Sequence, residues 1–381
     1  MRNGFSAKEW KVKSMIVFRA DGNKYIGAGH IMRCLSIAGQ AALHGMESCF
    51  VTAGEEFYDI IALKEGHQNV VLHTQYDQME RELARLFSVF KKLDAAGPDA
   101  RSGIEAVVVD SYHVTVRYLN SLFSFCRDRG AKLIYIDDLC AFPYPCDVLV
   151  NYNVYGPDCD YASIYQNSDA SPLTLLGAGY APLRGEFQNL PSKKVESQGK
   201  KILISTGGAD FMHIGIGILR EILKRGEKLA GFQFHFIVGA MNEDAGEMYN
   251  LAQQSDHTGA KIRLHENVSN MAEMMRMADV SVSAAGSTLY ELCAAGTPAL
   301  TYVLADNQIP GAKGFCRYAG LENVGDVRRL GVLKLSGLLV EAAVGLCKDY
   351  EKRKRIAAQM SKVVDAKGAE RILEAVFGEW R

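Results

Sequence analysis

Short runs of β-branched and aliphatic residues alternate with helix-length segments along most of the chain. In the first half the runs are SMIVF, ESCFVT, NVVLHT, EAVVVD, KLIYID and VLVNYN; in the second they are KILIST, QFHFIV, KIRLHE, DVSVSA and PALTYV. Most are continuously apolar rather than alternating, as in strands of a parallel sheet covered on both faces. The pattern occurs twice, interrupted by LPSKKVESQGKK, which is polar, charged and bracketed by Pro and Gly, and so reads as a linker. The predicted fold is α/β, with two doubly wound, Rossmann-like parallel-sheet domains over residues 15–189 and 201–347, joined by 190–200. A ligand is then expected in a cleft at the strand C-termini. The closing segment, 348–381, is a helical run expected to pack back on the first domain.

Composition narrows this. At 381 residues the chain has room for two cores. A formal charge of −1 and a pI of about 6.8 give no electrostatic case for nucleic acid or an anionic membrane. Nothing approaches the roughly eighteen consecutive apolar residues of a membrane span. The opening MRNGFSAKEWKVKS lacks an apolar core and reads as an extension before Met15, not a signal peptide. Nine cysteines with no C-x-x-C pair suit reduced thiols in the cytoplasm. Cys140, Cys146 and Cys159 come nearest to a cluster, but no histidine accompanies them, so no metal site is assigned.

The candidate chemistry lies in the loops after the strands. RADGNKYIGAGHIMRCLSIA, Arg19 to Ala38, follows the first run with a glycine-broken turn and leads into a helix. Gly27 and Gly29 permit a tight turn and put His30 in the first helical turn, where free N–H groups favour an anion. Met32 stands where a dinucleotide fingerprint needs its third glycine. No acid ends the second strand either, since Glu55 and Glu56 fall only in the loop beyond. A Gly-Lys-Ser/Thr phosphate loop is absent from the sequence. In the second half STGGAD presents Gly207 and Gly208 as an anion nest. Gly286-Ser287-Thr288 begins another helix, with Glu291 in capping-box spacing from Thr288. ADNQ offers amides at a strand end. His235 and His265 lie in strands and read as satisfied structural residues, while His44, His67, His73, His213 and His257 have no supporting motif. Asp137 and Asp138 should point to opposite sides, one toward the site and one capping a helix.

These motifs, with VVVDSYHV, YIDDL, CDVLVNYN, LLGAGYAPLRGEF and AGSTLYELCAAGTPAL, run in order from Arg19 to Gln308. Together they resemble the UDP-sugar hydrolases of pseudaminic acid biosynthesis and the related spore-coat polysaccharide proteins, a group with the GT-B glycosyltransferase fold. The resemblance implies hydrolysis of UDP-2,4-diacetamido-2,4,6-trideoxy-β-L-altropyranose, or a similar UDP-sugar, to UDP and free sugar. It implies neither cofactor nor metal, and functional association with other enzymes of the nonulosonic acid pathway. His30 falls on the family's catalytic histidine and Tyr112 on a tyrosine near the sugar. Gly27, Gly29, Arg33 and Asp138 join them as substrate contacts. The UDP region corresponds to Gly207, Gly208, Val268, Gly286, Ser287, Thr288, Glu291, Asn307 and Gln308, with Glu291 expected on the ribose and 286–288 near the diphosphate.

The chemistry is coherent without the name. UDP is a good leaving group, helix N-termini can stabilise its growing charge, and a histidine can orient or deprotonate the attacking water. An epimerase, a glycosyltransferase and a non-catalytic sugar-nucleotide binder remain as alternatives, because a fold does not choose among them. The broken fingerprint disfavours a nicotinamide-dependent oxidoreductase.

Overall fold

All eleven apolar runs become strands of two parallel sheets in the computed structural model, which describes residues 14–23, 25–54, 66–95, 103–257 and 259–378. Glu55 and Glu56 lie outside the described residues. The first sheet holds β1 (Met15–Ala20), β2 (Glu47–Thr52), β3 (Gln68–Val71), β4 (Ile104–Asp110), β5 (Lys132–Ile136), β6 (Val148–Asn151) and β7 (Leu173–Leu176). Their order is β3-β2-β1-β4-β5-β6-β7, every pair parallel. Ile16, Val17 and Phe18 are all fully buried, as are Val107, Val108 and Val109. Consecutive burial means both faces are covered, which is why these strands do not alternate.

The second sheet comprises β8 (Lys201–Ser205), β9 (Gln233–Val238), β10 (Lys261–Glu266), β11 (Val280–Ala284), β12 (Ala299–Val303) and β13 (Glu322–Asp326). The order is β10-β9-β8-β11-β12-β13, again wholly parallel. In each sheet the first strand is central and its neighbours lead off in opposite directions. Connections therefore diverge at β1/β4 and at β8/β11, the switch points where parallel sheets bind ligands. Two edge strands escaped the hydrophobic pattern. β7 has only Leu175 buried, and β13 reads ENVGD, rich in residues disfavoured in strands.

The chain divides into two units at other points than the polar stretch suggests. The first runs through Tyr152, resumes over Asp158–Leu176 and includes the chain from Ala369 on; the second takes Asn153–Pro157 and Gly177–Gly368. Residues after Leu176 belong to the second unit because Phe187 is buried there and Arg184 pairs with Glu291 at 2.9 Å. The stretch read as a linker is strapped to the same unit. Lys193 donates to the carbonyls of Arg276 and Ala278, and Arg353 donates to those of Glu196 and Ser197. The helix Tyr350–Val363 also packs in the second unit, against helices Thr288–Ala295 and Ile309–Ala319. Only the last helix, Gly368–Phe377, joins the first.

One close approach ties a candidate loop to its sheet. A Cβ on Gly239 would fall 2.1 Å from the carbonyl oxygen of Gly208 and 2.6 Å from its Cα. Backbone cannot yield as a side chain does, so Gly239→Ala should displace the 206–210 turn and cost about 1–3 kcal/mol, the usual range for overpacking. Urea denaturation checks this; an unchanged midpoint would show that the turn adapts freely.

Candidate active site

In the first unit the turn after β1 is closed by its own polar groups. The Asn23 side-chain oxygen accepts from the backbone N–H of Tyr25 and Ile26, and Gly27 N–H donates to the Asn23 carbonyl at 2.7 Å. Gly27 has φ +73°, a left-handed conformation open to glycine. The helix Gly29–Leu43 then starts at Ala28 with no side-chain cap and no acid in its first turn. His30 and Arg33, three apart on one helical face, are both directed at the end of β4.

The group they meet is Asp110, the last residue of β4, whose Cα pairs with that of Ala20 across the switch point. His30 Nδ1 lies 2.6 Å from Asp110 Oδ1, and Arg33 grips both carboxylate oxygens through Nε and Nη2. Arg33 Nη1 donates to the Tyr152 hydroxyl at 2.7 Å and pairs with Asp138 at 2.9 Å. Tyr112 stands edge-on to the His30 ring, centroids 4.6 Å apart, and is partly exposed. His30 is only 3% exposed and Asp110 1%.

The electrostatics follow from this packing. Burial alone would raise the Asp110 carboxyl, but the charges of Arg33 and His30 and their hydrogen bonds hold it down to about 2. Burial likewise opposes the charge on Arg33, and Asp110 and Asp138 outweigh it, raising the guanidinium well above its ordinary range. Burial also pushes the Tyr112 phenol up, aided by Asp138, so it stays a hydrogen-bond donor. Arg33 Nη2 is also 3.0 Å from His30 Nδ1, yet one nitrogen cannot both accept there and donate to Asp110. Facing an ionised carboxylate at 2.6 Å, Nδ1 is best served by carrying the proton. In the neutral ring that leaves the lone pair on Nε2. The arrangement is a histidine backed by a buried carboxylate.

Asp110 and Tyr152 were not singled out in the sequence, although both stand in quoted motifs. The available signal was a lone acid ending an apolar strand next to the switch point. Asp138 reaches the site. Asp137 does not cap a helix; fully buried, it accepts from Leu139 N–H at 2.8 Å, Cys140 N–H and the Tyr161 hydroxyl, closing the turn after β5. The three cysteines of the sequence cluster are free thiols, and no metal-binding group of His, Cys, Asp and Glu occurs among the described residues.

The second unit holds the other candidates on separate loops. In STGGAD, Gly207 has φ +93°, but the N-terminus of the following helix, Ile214–Arg225, is already filled. Buried Asp210 accepts from Ile214 N–H at 3.1 Å and Gly215 N–H at 2.7 Å. Burial pushes this carboxyl up to about 6 against those hydrogen bonds. Gly207 and Gly208 therefore have only their own loop to offer an anion.

The helix Thr288–Ala295 differs, since Ser287 precedes it without a side-chain cap and Gly286 N–H is turned back to Ala284 O. Thr288 is the first helical residue rather than the cap, so Glu291 is not in a capping box. It instead pairs with Arg184, which also holds Glu186 at 3.0 Å, and burial raises its carboxyl. Val268 lies just beyond Asn267, whose φ is +50°, after β10. Asn307 is exposed, while the Gln308 side chain turns back to accept from Leu304 N–H at 2.9 Å. His235 and His265 meet at 3.0 Å, but His235 Nε2 is buried without a partner, so that residue is satisfied at one nitrogen only. Burial drives its titration down to about 4.

No family model matches the chain. It is 25% identical over 304 residues to an uncharacterised protein of Methanocaldococcus jannaschii, covering 77% of this chain and 56% of that one. The chain thus spans little more than half the length of that archaeal relative. It is 22% identical over 290 residues to the UDP-2,4-diacetamido-2,4,6-trideoxy-β-L-altropyranose hydrolase of Campylobacter jejuni, covering 76% of this chain and 92% of that one. Over 363 residues it is 22% identical to the spore coat polysaccharide biosynthesis protein SpsG of Bacillus subtilis, covering 93% and 95%. Among solved structures, MurG of Acinetobacter baumannii superposes with TM-score 0.63 at 13% identity, covering 96% of this chain and 99% of that one. UGT2 of Phytolacca americana, complexed with UDP-2-fluoroglucose and pterostilbene, gives 0.65 at 12%, covering 95% and 98%. The chain has the GT-B fold, and its sequence relatives are distant. No helix among the described residues is long and apolar enough to cross a membrane.

Asp110 has a measurable signature. Its folded pKa lies below the ordinary 3.8, so its contribution is complete above that value and is lost as pH falls through about 2. The loss amounts to about 2 kcal/mol. Asp110→Asn should be less stable at pH 7, having stranded Arg33, and its stability should fall less steeply between pH 4 and 2. Urea midpoints of both proteins across that window provide the check; parallel curves would remove Asp110 from the acid response.

Proposed function

We propose that this chain is a metal-independent hydrolase that cleaves a UDP-sugar to UDP and free sugar, acting on a 2,4-diacetamido-trideoxyhexose or a close analogue in surface-polysaccharide or nonulosonic acid synthesis. The single observation that carries it is the His30–Asp110 contact at 2.6 Å with Arg33 bound to the same carboxylate. The names of the Campylobacter jejuni and Bacillus subtilis relatives support the substrate class.

The reaction balances simply. His30 Nε2 takes a proton from water as its oxygen attacks the anomeric carbon. The bond from that carbon to the β-phosphate oxygen breaks, and UDP leaves with the electron pair. Asp110 steadies the imidazolium so formed and fixes which nitrogen acts. Tyr112 is assigned to the sugar beside His30. The diphosphate is assigned to the 286–288 turn, whose helix lacks a cap of its own, and Glu291 to the ribose. Gly27, Gly29, Asp138, Gly207, Gly208, Val268, Asn307 and Gln308 stay as proposed substrate contacts. Arg33 acts through Asp110, which it holds by Nε and Nη2 while Nη1 serves Tyr152 and Asp138.

Incubation with candidate UDP-diacetamido sugars, followed by NMR, tests the reaction: UDP and free sugar should appear, with ¹⁸O from labelled water in the sugar. Label in UDP instead would place cleavage at phosphorus and refute the assigned chemistry. His30→Ala should lower turnover at least about 10²-fold, the lower bound for losing a general base. UDP affinity should stay near that of the parent. Near-normal turnover in His30→Ala would leave His30 a helix-start residue.

The nucleotide assignment has its own check. Glu291→Ala should weaken UDP binding by about 1–3 kcal/mol, the range for an abandoned polar partner. Calorimetry showing unchanged affinity would reduce Glu291 to the ion pair of Arg184.

A further inference from the structure

One guanidinium ties together the ends of three neighbouring strands. β4, β5 and β6 lie side by side in the first sheet; Asp110 ends the first, Asp138 follows the second and Tyr152 follows the third. Arg33 reaches them from the helix after β1. Its Nε and Nη2 hold Asp110, while Nη1 donates to the Tyr152 hydroxyl at 2.7 Å and pairs with Asp138 at 2.9 Å. Tyr152 is the nearer of the two groups on Nη1. It is buried, and it directly follows Asn151, the strand residue whose side chain donates to the Tyr161 hydroxyl at 2.8 Å. Burial pushes the Tyr152 phenol up to about 12, so its oxygen stays neutral and accepts from Nη1.

Which edge of the guanidinium meets the carboxylate decides what His30 sees. A guanidinium can fork a carboxylate along its Nε–Nη2 edge or across its Nη1–Nη2 end. The end-on fork needs Nη1, which Tyr152 and Asp138 occupy. The edge-on fork keeps Nη2 on Asp110 Oδ1, the oxygen that His30 Nδ1 meets at 2.6 Å. Yet Nη2 is also 3.0 Å from Nδ1 itself. A guanidinium released at Nη1 is free to turn an Nη2 hydrogen toward His30. Nδ1 would then accept, and the neutral ring would carry its proton on Nε2, with no lone pair left there for water. We infer that Tyr152 is a positioning residue: by holding Arg33 Nη1, its hydroxyl keeps the His30 proton on Nδ1 and the Nε2 lone pair free. The consequence for the rate rests on the hydrolase reading above; the placement of the proton does not.

NMR of the full chain labelled with ¹⁵N-histidine reads the tautomer without any ligand, and His30→Ala assigns the signals. In alkaline buffer, where an imidazole is ordinarily neutral, the parent should show a protonated Nδ1 and a bare Nε2. Tyr152→Phe deletes one oxygen and should shift the tautomer ratio toward Nε2 by about tenfold, the scale of one hydrogen bond to a charged group. Tyr118→Phe removes another buried hydroxyl of the same unit, bonded to Glu82 at 2.8 Å, and should leave His30 as in the parent. With a UDP-sugar substrate, Tyr152→Phe should lower kcat by about tenfold while KM and UDP affinity hold. A proton on Nε2 in the parent, an unchanged tautomer in Tyr152→Phe, or an equal shift in Tyr118→Phe overturns the inference. So does a tautomer that responds to Asp138→Asn and not to Tyr152→Phe. A parent chain that releases no UDP refutes the hydrolase reading alone, because the NMR result still decides Tyr152.

Discussion

The candidate chemistry depends on one buried carboxylate. Asp110 ends β4 inside the protein and stays ionised only because Arg33 occupies both its oxygens and His30 donates to one of them. An ion pair so enclosed is weak as a stabiliser, since desolvation consumes much of the attraction. Its value lies in orientation. Arg33 fixes the carboxylate plane, the carboxylate fixes the imidazole, and Asp138 and Tyr152 fix Arg33 in turn. Removing Arg33 or Asp110 would leave its partner's buried charge for the others to accommodate.

Strand ends elsewhere are managed by the same device with a different outcome. Asp21 follows β1 and accepts from Ala53 N–H, Asp137 follows β5 and accepts from the turn beyond it, and Asp210 fills the helix end after β8. Each carboxylate satisfies donors that a parallel sheet leaves unpaired at its C-terminal edge. Asp110 alone among these four is bonded to a histidine. The three others hold backbone N–H groups, and Asp110 orients side chains. Where no acid intervenes, at Ser287, the turn closes on its own backbone, with Leu289 N–H donating to Gly286 O and Tyr290 N–H to Ser287 O.

Much of the architecture was legible in the sequence because continuous burial imposes continuous hydrophobicity. Runs such as SMIVF and EAVVVD have no polar position to disguise them. The edge strands β7 and β13 were not legible, since an edge buried on one side tolerates ENVGD. The polar stretch after Leu190 misled as a linker for a related reason. Lys193 is bonded to two carbonyls and the stretch's own carbonyls at Glu196 and Ser197 accept from Arg353, and composition reveals neither bond. His30 was legible from its glycines. Asp110 was visible but unremarked, because a carboxylate closing an apolar strand reads as a cap until something is seen to face it. The capping-box spacing of Glu291 from Thr288 does not make a box, and helix spacing says nothing of the Arg184 that waits more than a hundred positions earlier.

The dyad does not by itself choose the acceptor. A histidine base backed by a carboxylate deprotonates water or a sugar hydroxyl equally well, and the GT-B fold serves proteins of several activities. The choice of nucleophile must therefore come from space and charge around His30 rather than from His30 itself. Tyr112, packed edge-on to the ring and partly exposed, is a wall that bears on it.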